Sequence, residues 1–544
     1  MSKPPWIDDS RLTHVRCLDR VRPIHLFAAL CLLGSSARAQ LTDRTQTPNG
    51  ANAGIAKSLV QEVGAGRGDE MTPAASRFVI ARDPFRSIRR GRQLFQRKFT
   101  EAQGLGPRTQ DGVGDITADG SIGAGLTDSC AACHSSPFGS GGAGGHVFTR
   151  PETRDAPHLF GLGLIEMLGD EITGELRALR AAAVQDAALG GQSVTVQLVS
   201  KGIRYGSLTA APNGSIDTSG VQGVNADLRV RPFFAQGGTI SIREFVVGAL
   251  NAEMGLEAAD PDLLAASQGM DVVTPAGMRL TGSLDAIEAP PVHSATQDGD
   301  ADGIVNEIDP ALVDHLEFYL LNYFKPAIAE QGVVEKRGKN VFQTIGCATC
   351  HVPNLTIEHD RRVADVETRF DPIASNGFFN SLAAVAGPRF NAIDDGTGLP
   401  TLKRASGQSF LVRDVYTDLK RHDLGPEFHE TNFDGLTVQR EFMTEPLWGV
   451  ASTAPYGHDG RSATLVNVIQ RHGGEAAAAR AAFLALDDGR RAAVLAFLGS
   501  LQLFAPDDTA SNLNPKDPSN PDYPRRGHGS IALAPLFNDP SEPE

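Results

Sequence analysis

The sequence is poor in cysteine, tryptophan and long apolar runs. It has six cysteines and two tryptophans in 544 residues, with aromatics at 6%. So few cysteines exclude a disulfide scaffold. Apart from a shorter stretch near the N-terminus, no segment approaches the ~18 uninterrupted apolar residues of a membrane helix, so no membrane span is expected. Cationic excess is missing too. The formal net charge of −15 argues against a nucleic-acid partner, though not against a basic protein met by electrostatic steering. A composition 41% hydrophobic and 21% charged excludes disordered, collagen-like and coiled-coil chains. At roughly 100–200 residues per domain, the length suggests two or three domains.

The N-terminal stretch reads as a signal peptide over residues 1–39. Arg11, Arg16, Arg20 and Arg22 precede the apolar run Ile24–Leu33, and Ala37-Arg38-Ala39 is a small-x-small cleavage site before Gln40. The run is too short to span a bilayer. The basic region is long and contains Asp8, Asp9 and Asp19, so a downstream start and a buried N-terminal helix both remain open. Cleavage would remove Cys17 and Cys31 and leave four cysteines in two pairs. A periplasmic or otherwise exported protein is expected.

Both pairs have the form C-x-x-C-H: Cys130-Ala131-Ala132-Cys133-His134 and Cys347-Ala348-Thr349-Cys350-His351. Two thiols three positions apart on one helical turn reach the two vinyl groups of one porphyrin, and the adjacent His lies under the iron. A thioredoxin-like redox pair does not need the His, and two zinc half-sites would lie closer in sequence. Two covalent c-type haems are therefore expected.

Each site is preceded by a similar segment, Arg90-Gly91-Arg92-Gln93-Leu94-Phe95 and Arg337-Gly338-Lys339-Asn340-Val341-Phe342, readable as an amphipathic helix opening a haem domain. The first copy carries an insertion rich in Gly, Asp and Thr between Gly104 and Gly125, read as loop. This is a degenerate internal repeat. Ser193–Gly206 reads as a strand, with further short strands at Leu228–Phe234 and Thr239–Ile242 and a helix at Glu244–Leu256. Residues 354–412 are mixed, with weak strand signals. Helices follow at Ala463–Arg471, Glu475–Leu486 and Gly489–Leu503. The Pro/Asp/Asn-rich end reads as an extended or disordered tail.

Asp298-Gly299-Asp300-Ala301-Asp302-Gly303-Ile304-Val305-Asn306-Glu307-Ile308-Asp309 matches a calcium loop. Oxygen donors fall at Asp298, Asp300, Asp302, Asn306 and Asp309, Ile304 offers its carbonyl, and Gly303 allows the sharp turn. A solvated acidic turn is the alternative. Carboxylates this close repel each other unless a cation intervenes, which favours Ca²⁺.

Thr453-Ala454-Pro455-Tyr456-Gly457-His458-Asp459-Gly460-Arg461-Ser462-Ala463-Thr464-Leu465 resembles a segment of the bacterial di-haem cytochrome c peroxidase and MauG superfamily. Within it the chain most resembles the di-haem oxidoreductase (putative peroxidase) branch. The matching elements are Leu159–Glu166, His422-Asp423-Leu424-Gly425, Pro446-Leu447-Trp448-Gly449 and His472-Gly473-Gly474-Glu475-Ala476. The likeness covers roughly residues 85–505 and is looser in the first half. It implies that His472, fourteen residues after His458, is the distal ligand of the second haem, where peroxidases use Met and MauG enzymes use Tyr. It also implies an acid/base Glu above an open first haem. Glu253, in Glu253-Met254-Gly255, is the first candidate and Glu166 the second. His146 would instead cap that iron. His458 and Arg461 would support the haem edge, and His422 has no assigned role. Phe233, Phe234 and Phe245 stand where relatives carry Trp and Gln.

The expected fold is mainly α, with two cytochrome c-like haem domains, inserted short β-strands and long loops. The divisions are an extension at 40–84, a first haem domain at 85–290, a linker at 291–330, a second haem domain at 331–505 and a tail at 506–544. A peroxidase-like oxidoreductase would use hydrogen peroxide and a small redox protein or other electron donor, with the second haem relaying electrons. A non-enzymatic di-haem electron carrier, or an oxygenase or protein-oxidising relative, would use the same haems differently.

Overall fold

Two glycines set how the principal helices meet. The computed structural model describes residues 58–99, 129–134, 156–299, 303–323, 328–329, 331–370, 382–431 and 437–502. The segment expected to be a signal peptide, His146, Asp300, Asp302 and residues 503–544 lie outside them. Gly91 sits in the helix Pro84–Gln96 and Gly338 in the helix Val333–Thr344. A Cβ on Gly91 would stand 2.0 Å from the carbonyl oxygen of His315 in the helix Pro310–Leu321. A Cβ on Gly338 would stand 1.9 Å from that of Ala493 in the helix Asp488–Gly499. Both crossings require bare backbone.

One turn further on, Phe95 packs 5.9 Å from Tyr319 and Phe342 packs 5.4 Å from Phe497, ring centre to ring centre. The sequence repeat is thus one packing device used twice. Residues 310–321, assigned to the linker in the sequence, supply the partner helix of the first copy.

The architecture is mixed and leans to helix, with small antiparallel sheets and no barrel among the described residues. The longest helix, Leu162–Gly190, starts after Gly161 in the left-handed region and stops at Gly191, also left-handed. Its first turns press on Pro310–Leu321, where a Cβ on Gly163 would stand 2.0 Å from the Leu321 carbonyl oxygen.

The strand expected over Ser193–Gly206 is instead a hairpin, Val194–Ser200 paired with Ile203–Ala210. Lys201 and Gly202 both have positive φ, the condition of a tight two-residue hairpin turn. The strands expected at Leu228–Phe234 and Thr239–Ile242 reduce to a single bridge between Phe233 and Thr239. Phe234, at φ +62°, turns the chain before a ladder can form. The described residues between 355 and 443 form five two-stranded antiparallel ladders. The helix expected over Glu475–Leu486 is split into a 3₁₀ turn, Gly474–Ala476, and a helix, Ala477–Leu484.

One large apolar core runs from Ile80 to Trp448 in sequence, drawing on residues of both halves. A second, smaller one gathers Phe342, Tyr416, Phe483, Val494, Phe497, Leu498 and Leu501. Behind the first core lies a buried ionic knot. Arg243, wholly buried, donates to Asp260 at 2.6 and 2.9 Å, to Asp314 at 2.9 Å and to Glu317 at 2.7 Å. Burial pushes the Glu317 carboxyl up to about 7, against the pull of Arg243. Such a knot fixes which helices meet, and removing one partner would leave a buried charge uncompensated.

Candidate haem-binding sites

The second site is the more completely described. Cys347–Thr349 forms a 3₁₀ turn after Gly346, and the His351 N–H donates to the Cys347 carbonyl. This winding places both thiols and the imidazole on one turn. His351 is oriented by a bond between its Nδ1 and the Tyr416 carbonyl, 3.0 Å, which leaves Nε2 available as a ligand. The Phe342 ring stands 6.1 Å from it. Tyr416 lies in a strained loop: Asp414, Tyr416 and Leu419 all have positive φ without being glycine. Strain of this kind persists only where the surroundings over-determine it. Here the Lys339 ammonium holds Asp414 at 3.0 Å, and Tyr416 is buried in the smaller core.

His472 shares the same pattern. It follows the helix Leu465–Arg471, and its Nδ1 bonds the Val468 carbonyl at 2.7 Å, again leaving Nε2. The Phe428 ring meets it edge-on at 5.5 Å. Burial pushes His351 down to about 4, partly offset by the Tyr416 carbonyl, and His472 is close enough to lower it further. Val341, Ile345, Ala348, Leu465 and Ile469, from the elements that carry or precede the two histidines, pack on the smaller core yet stay only partly buried. Two neutral imidazoles with open Nε2 atoms, two free thiols and an apolar cradle fit a covalently attached haem.

The expected supporting residues behave differently from one another. His458 stacks on Phe442 at 3.6 Å and faces Glu430 at 3.0 Å. Asp459 receives Arg461 at 2.5 Å and Arg471 at 2.6 Å, bracing the residue that precedes His472. Burial opposes ionisation of Asp459, but the arginines and the Arg461 N–H outweigh it and hold the carboxyl at about 2.

His422 is buried, with Nε2 2.9 Å from Asp418 and Nδ1 2.8 Å from Glu475. Burial disfavours its charged form. The Asp418 carboxylate and then the Cys350 sulfur outweigh this and drive it up to about 11, a value whose Cys350 share thioether formation would remove. Cys350, Asp418 and His422 also form the one cluster among the described residues close enough to hold a metal ion. Commitment of Cys350 to a thioether would dissolve that cluster.

At the first site, Cys130–Cys133 is a single helical turn, with the His134 N–H donating to the Cys130 carbonyl. His134 Nδ1 bonds the Pro157 carbonyl at 2.7 Å, and the Phe95 ring lies 6.2 Å away, which reproduces the His351 arrangement. The adjacent His158 bonds the Trp448 carbonyl through Nε2 at 2.9 Å. Its buried Nδ1 has no hydrogen-bond partner, and burial pushes it down to about 4. Trp448 belongs to the second half of the chain, yet it packs where Gly161, at φ +71°, leaves room for the indole.

The candidate acid/base residues sit apart in sequence and environment. Glu166 is buried, accepts the Ile242 N–H at 2.8 Å and pairs with Arg361 at 2.6 Å. Burial raises its carboxyl against those two partners. Glu253 is half-buried in the last turn of the helix Ile242–Met254, with Phe245 of the same helix packed on Phe233 and Phe234.

In the candidate calcium loop, Asp298 accepts the Gly303 N–H at 3.0 Å, and Asn306 accepts the Ala259 N–H at 3.2 Å. Asp309 caps the helix Pro310–Leu321 through the Ala311 N–H at 2.8 Å. The half-buried Ile304 completes the described donors. Glu257, outside the pattern, receives the Gly299 N–H at 2.9 Å and pins the loop.

Residues 361–501 match the protein family described as "Di-haem oxidoreductase, putative peroxidase". The matched stretch begins beyond His351 and contains His422, Trp448, His458 and His472. It supports a haem oxidoreductase role. No curated protein matches the chain. Among solved structures, hydrazine synthase of Kuenenia stuttgartiensis pressurised with xenon is similar at 16% identity over 37% of this chain and 59% of that one, with a TM-score of 0.21. The chain thus spans under two thirds of that neighbour, and the likeness is too low to argue from. No described helix is long and apolar enough to cross a membrane.

Proposed function

We propose that the protein is an exported di-haem c-type cytochrome with peroxidase-like oxidoreductase activity. The reactive haem would be held by Cys130, Cys133 and His134. A relay haem would be held by Cys347, Cys350 and His351, with His472 as its second axial ligand. The observation that carries this reading is the shared orientation of His134, His351 and His472. In each, Nδ1 is committed to a backbone carbonyl, and at His351 and His472 this leaves Nε2 to coordinate.

Bound haem would supply the redox chemistry, peroxide reduction at an open iron and electron storage at a closed one. The chain's own part is to hold and aim. Tyr416 and Pro157 orient the proximal imidazoles, the apolar cradle keeps water from the second iron, and Glu253 would hold the proton needed beside bound peroxide. Glu166 is the alternative, although its oxygens already serve Arg361 and Ile242. That commitment favours a second reading, a di-haem electron carrier with both irons six-coordinate. A Ca²⁺ ion in the 298–309 loop would brace the start of the helix Pro310–Leu321. Hydrogen peroxide and a small redox protein are the proposed substrate and donor.

Electron paramagnetic resonance and visible spectra of the holoprotein, oxidised and half-reduced, decide between the two. The enzyme reading expects a high-spin haem in at least one redox state and a spectral response to peroxide. Two low-spin haems in every state and no response to peroxide would leave the carrier reading standing. His472→Ala should convert the second haem to high spin, and an unaltered spectrum would refute the ligand assignment.

A further inference from the structure

We propose that His422 is a positioning residue that clasps the loop orienting one axial ligand of the second haem to the segment carrying the other. This rests on reading His351 and His472 as those ligands. On one side His422 Nε2 meets Asp418 at 2.9 Å, two residues beyond Tyr416, whose carbonyl orients His351. On the other side its Nδ1 meets Glu475 at 2.8 Å, three residues beyond His472.

Both ring nitrogens face carboxylate oxygens, so the ring serves as a double donor with fixed direction. The anchor at Asp418 is firm. Its own carbonyl accepts the buried Tyr205 hydroxyl at 2.9 Å, and Thr417 N–H donates to the Val352 carbonyl at 3.1 Å. The opposite anchor also closes on backbone. The other Glu475 oxygen accepts the Asp423 N–H at 3.0 Å, and the Gly473 N–H donates to the Leu424 carbonyl at 2.9 Å. Gly425 allows this approach, since at φ +87° its Cβ would stand 3.2 Å from Gly474 N.

The loop behind His351 is backbone-strained, as its three left-handed residues show. The clasp adds a side-chain link between this loop and the 472–475 segment to the backbone bonds that already hold the loop, among them Leu447 N–H to the Val415 carbonyl and Thr444 N–H to the Lys420 carbonyl. Loss of His422 would therefore loosen the short 472–475 segment, leaving it the Gly473 and Asp423 backbone bonds, and with it the weaker-held of the two ligands. His472 follows a seven-residue helix with no buried residues, whereas His351 would be tied by the neighbouring Cys347 and Cys350 once they hold the haem.

The test uses holoprotein carrying both haems, with carbon monoxide as the probe of ligand loss after full reduction. His422→Ala is expected to add one carbon monoxide-reactive haem per chain and to remove one low-spin ferric signal. Glu475→Ala leaves the buried Asp418 contact intact and touches a side chain 53% exposed, so it should fold normally. It should speed carbon monoxide binding to the second haem about tenfold, the scale of one charged hydrogen bond. His422→Gln, retaining one donor, should fall between wild type and His422→Ala.

The clasp is overturned if His472→Ala adds a reactive haem while His422→Ala and Glu475→Ala stay within about twofold of wild type, a change too small for a lost charged hydrogen bond. If His472→Ala itself leaves the low-spin signal unchanged, the ligand reading falls and takes the clasp with it. Should His422→Ala fail to fold, the Glu475 variant decides alone.

Discussion

Gly338 and Ala493 meet backbone to backbone, with room for no Cβ between them. The contact joins the helix that opens the second haem site to the one that closes it. Gly338→Ala should therefore force the two helices apart and cost about 1–3 kcal/mol by overpacking. Thermal unfolding of the holoprotein reads this as a lowered midpoint. Gly91→Ala, at the equivalent crossing against His315, should act in the same direction. An unchanged midpoint in both variants would mean the crossings are looser than described.

Acid should selectively weaken the braces behind His472. Asp459 is held at about 2, below its ordinary 3.8, by Arg471 and Arg461 against the cost of burial. A depressed carboxyl contributes stability that is complete above its unfolded value and is lost as pH falls through the folded one. The window is therefore about pH 4 down to 2, and the contribution is about 2 kcal/mol. Urea unfolding of wild type and Asp459→Asn should show their stabilities converging across that window. A constant difference down to pH 2 would show that the pairing adds nothing.

Chelation tests the 298–309 loop. If Ca²⁺ joins Asp298, Asp309 and the Ile304 carbonyl, a chelator should lower the melting temperature, and added calcium should restore it with saturation. The spectrum of the second haem should stay unchanged, because the loop acts through the helix Pro310–Leu321, which packs at the first site. A melting temperature indifferent to both treatments would make the loop a solvated turn.

Much of the site was legible because side-chain chemistry carried it. The paired C-x-x-C-H sequences and the repeated segments before them are visible as residue types at fixed spacings, and His472 is implied by the family resemblance. The segment Arg337–Phe342, expected to be helical, lies in the helix Val333–Thr344. What stayed hidden was supplied by backbone or by distant partners. The carbonyls of Pro157 and Tyr416 have no signature in the sequence, and His422 becomes meaningful only once Asp418 and Glu475 converge on it. The helix Leu162–Gly190 escaped because its first turns, from Gly163 to Gly169, are buried on every side and lack an amphipathic period. The Ser193–Gly206 segment alternated as a strand should, and only the positive φ of Lys201 and Gly202 reveals the reversal within it.

The way the first repeat closes bears on the order in which the molecule is completed. Ser87, in the helix that opens the first haem site, bonds His315 across 228 positions of chain. The ribosome delivers the first attachment motif early, but its closing helix emerges only shortly before the second repeat begins. The first half therefore cannot finish packing as an autonomous early unit before the intervening hairpin and the 298–309 loop are synthesised. Fragments ending near residue 290 should therefore lack the closing wall of the first site. The two halves are related by repetition, but the first is completed by what a linear division would assign to the space between them.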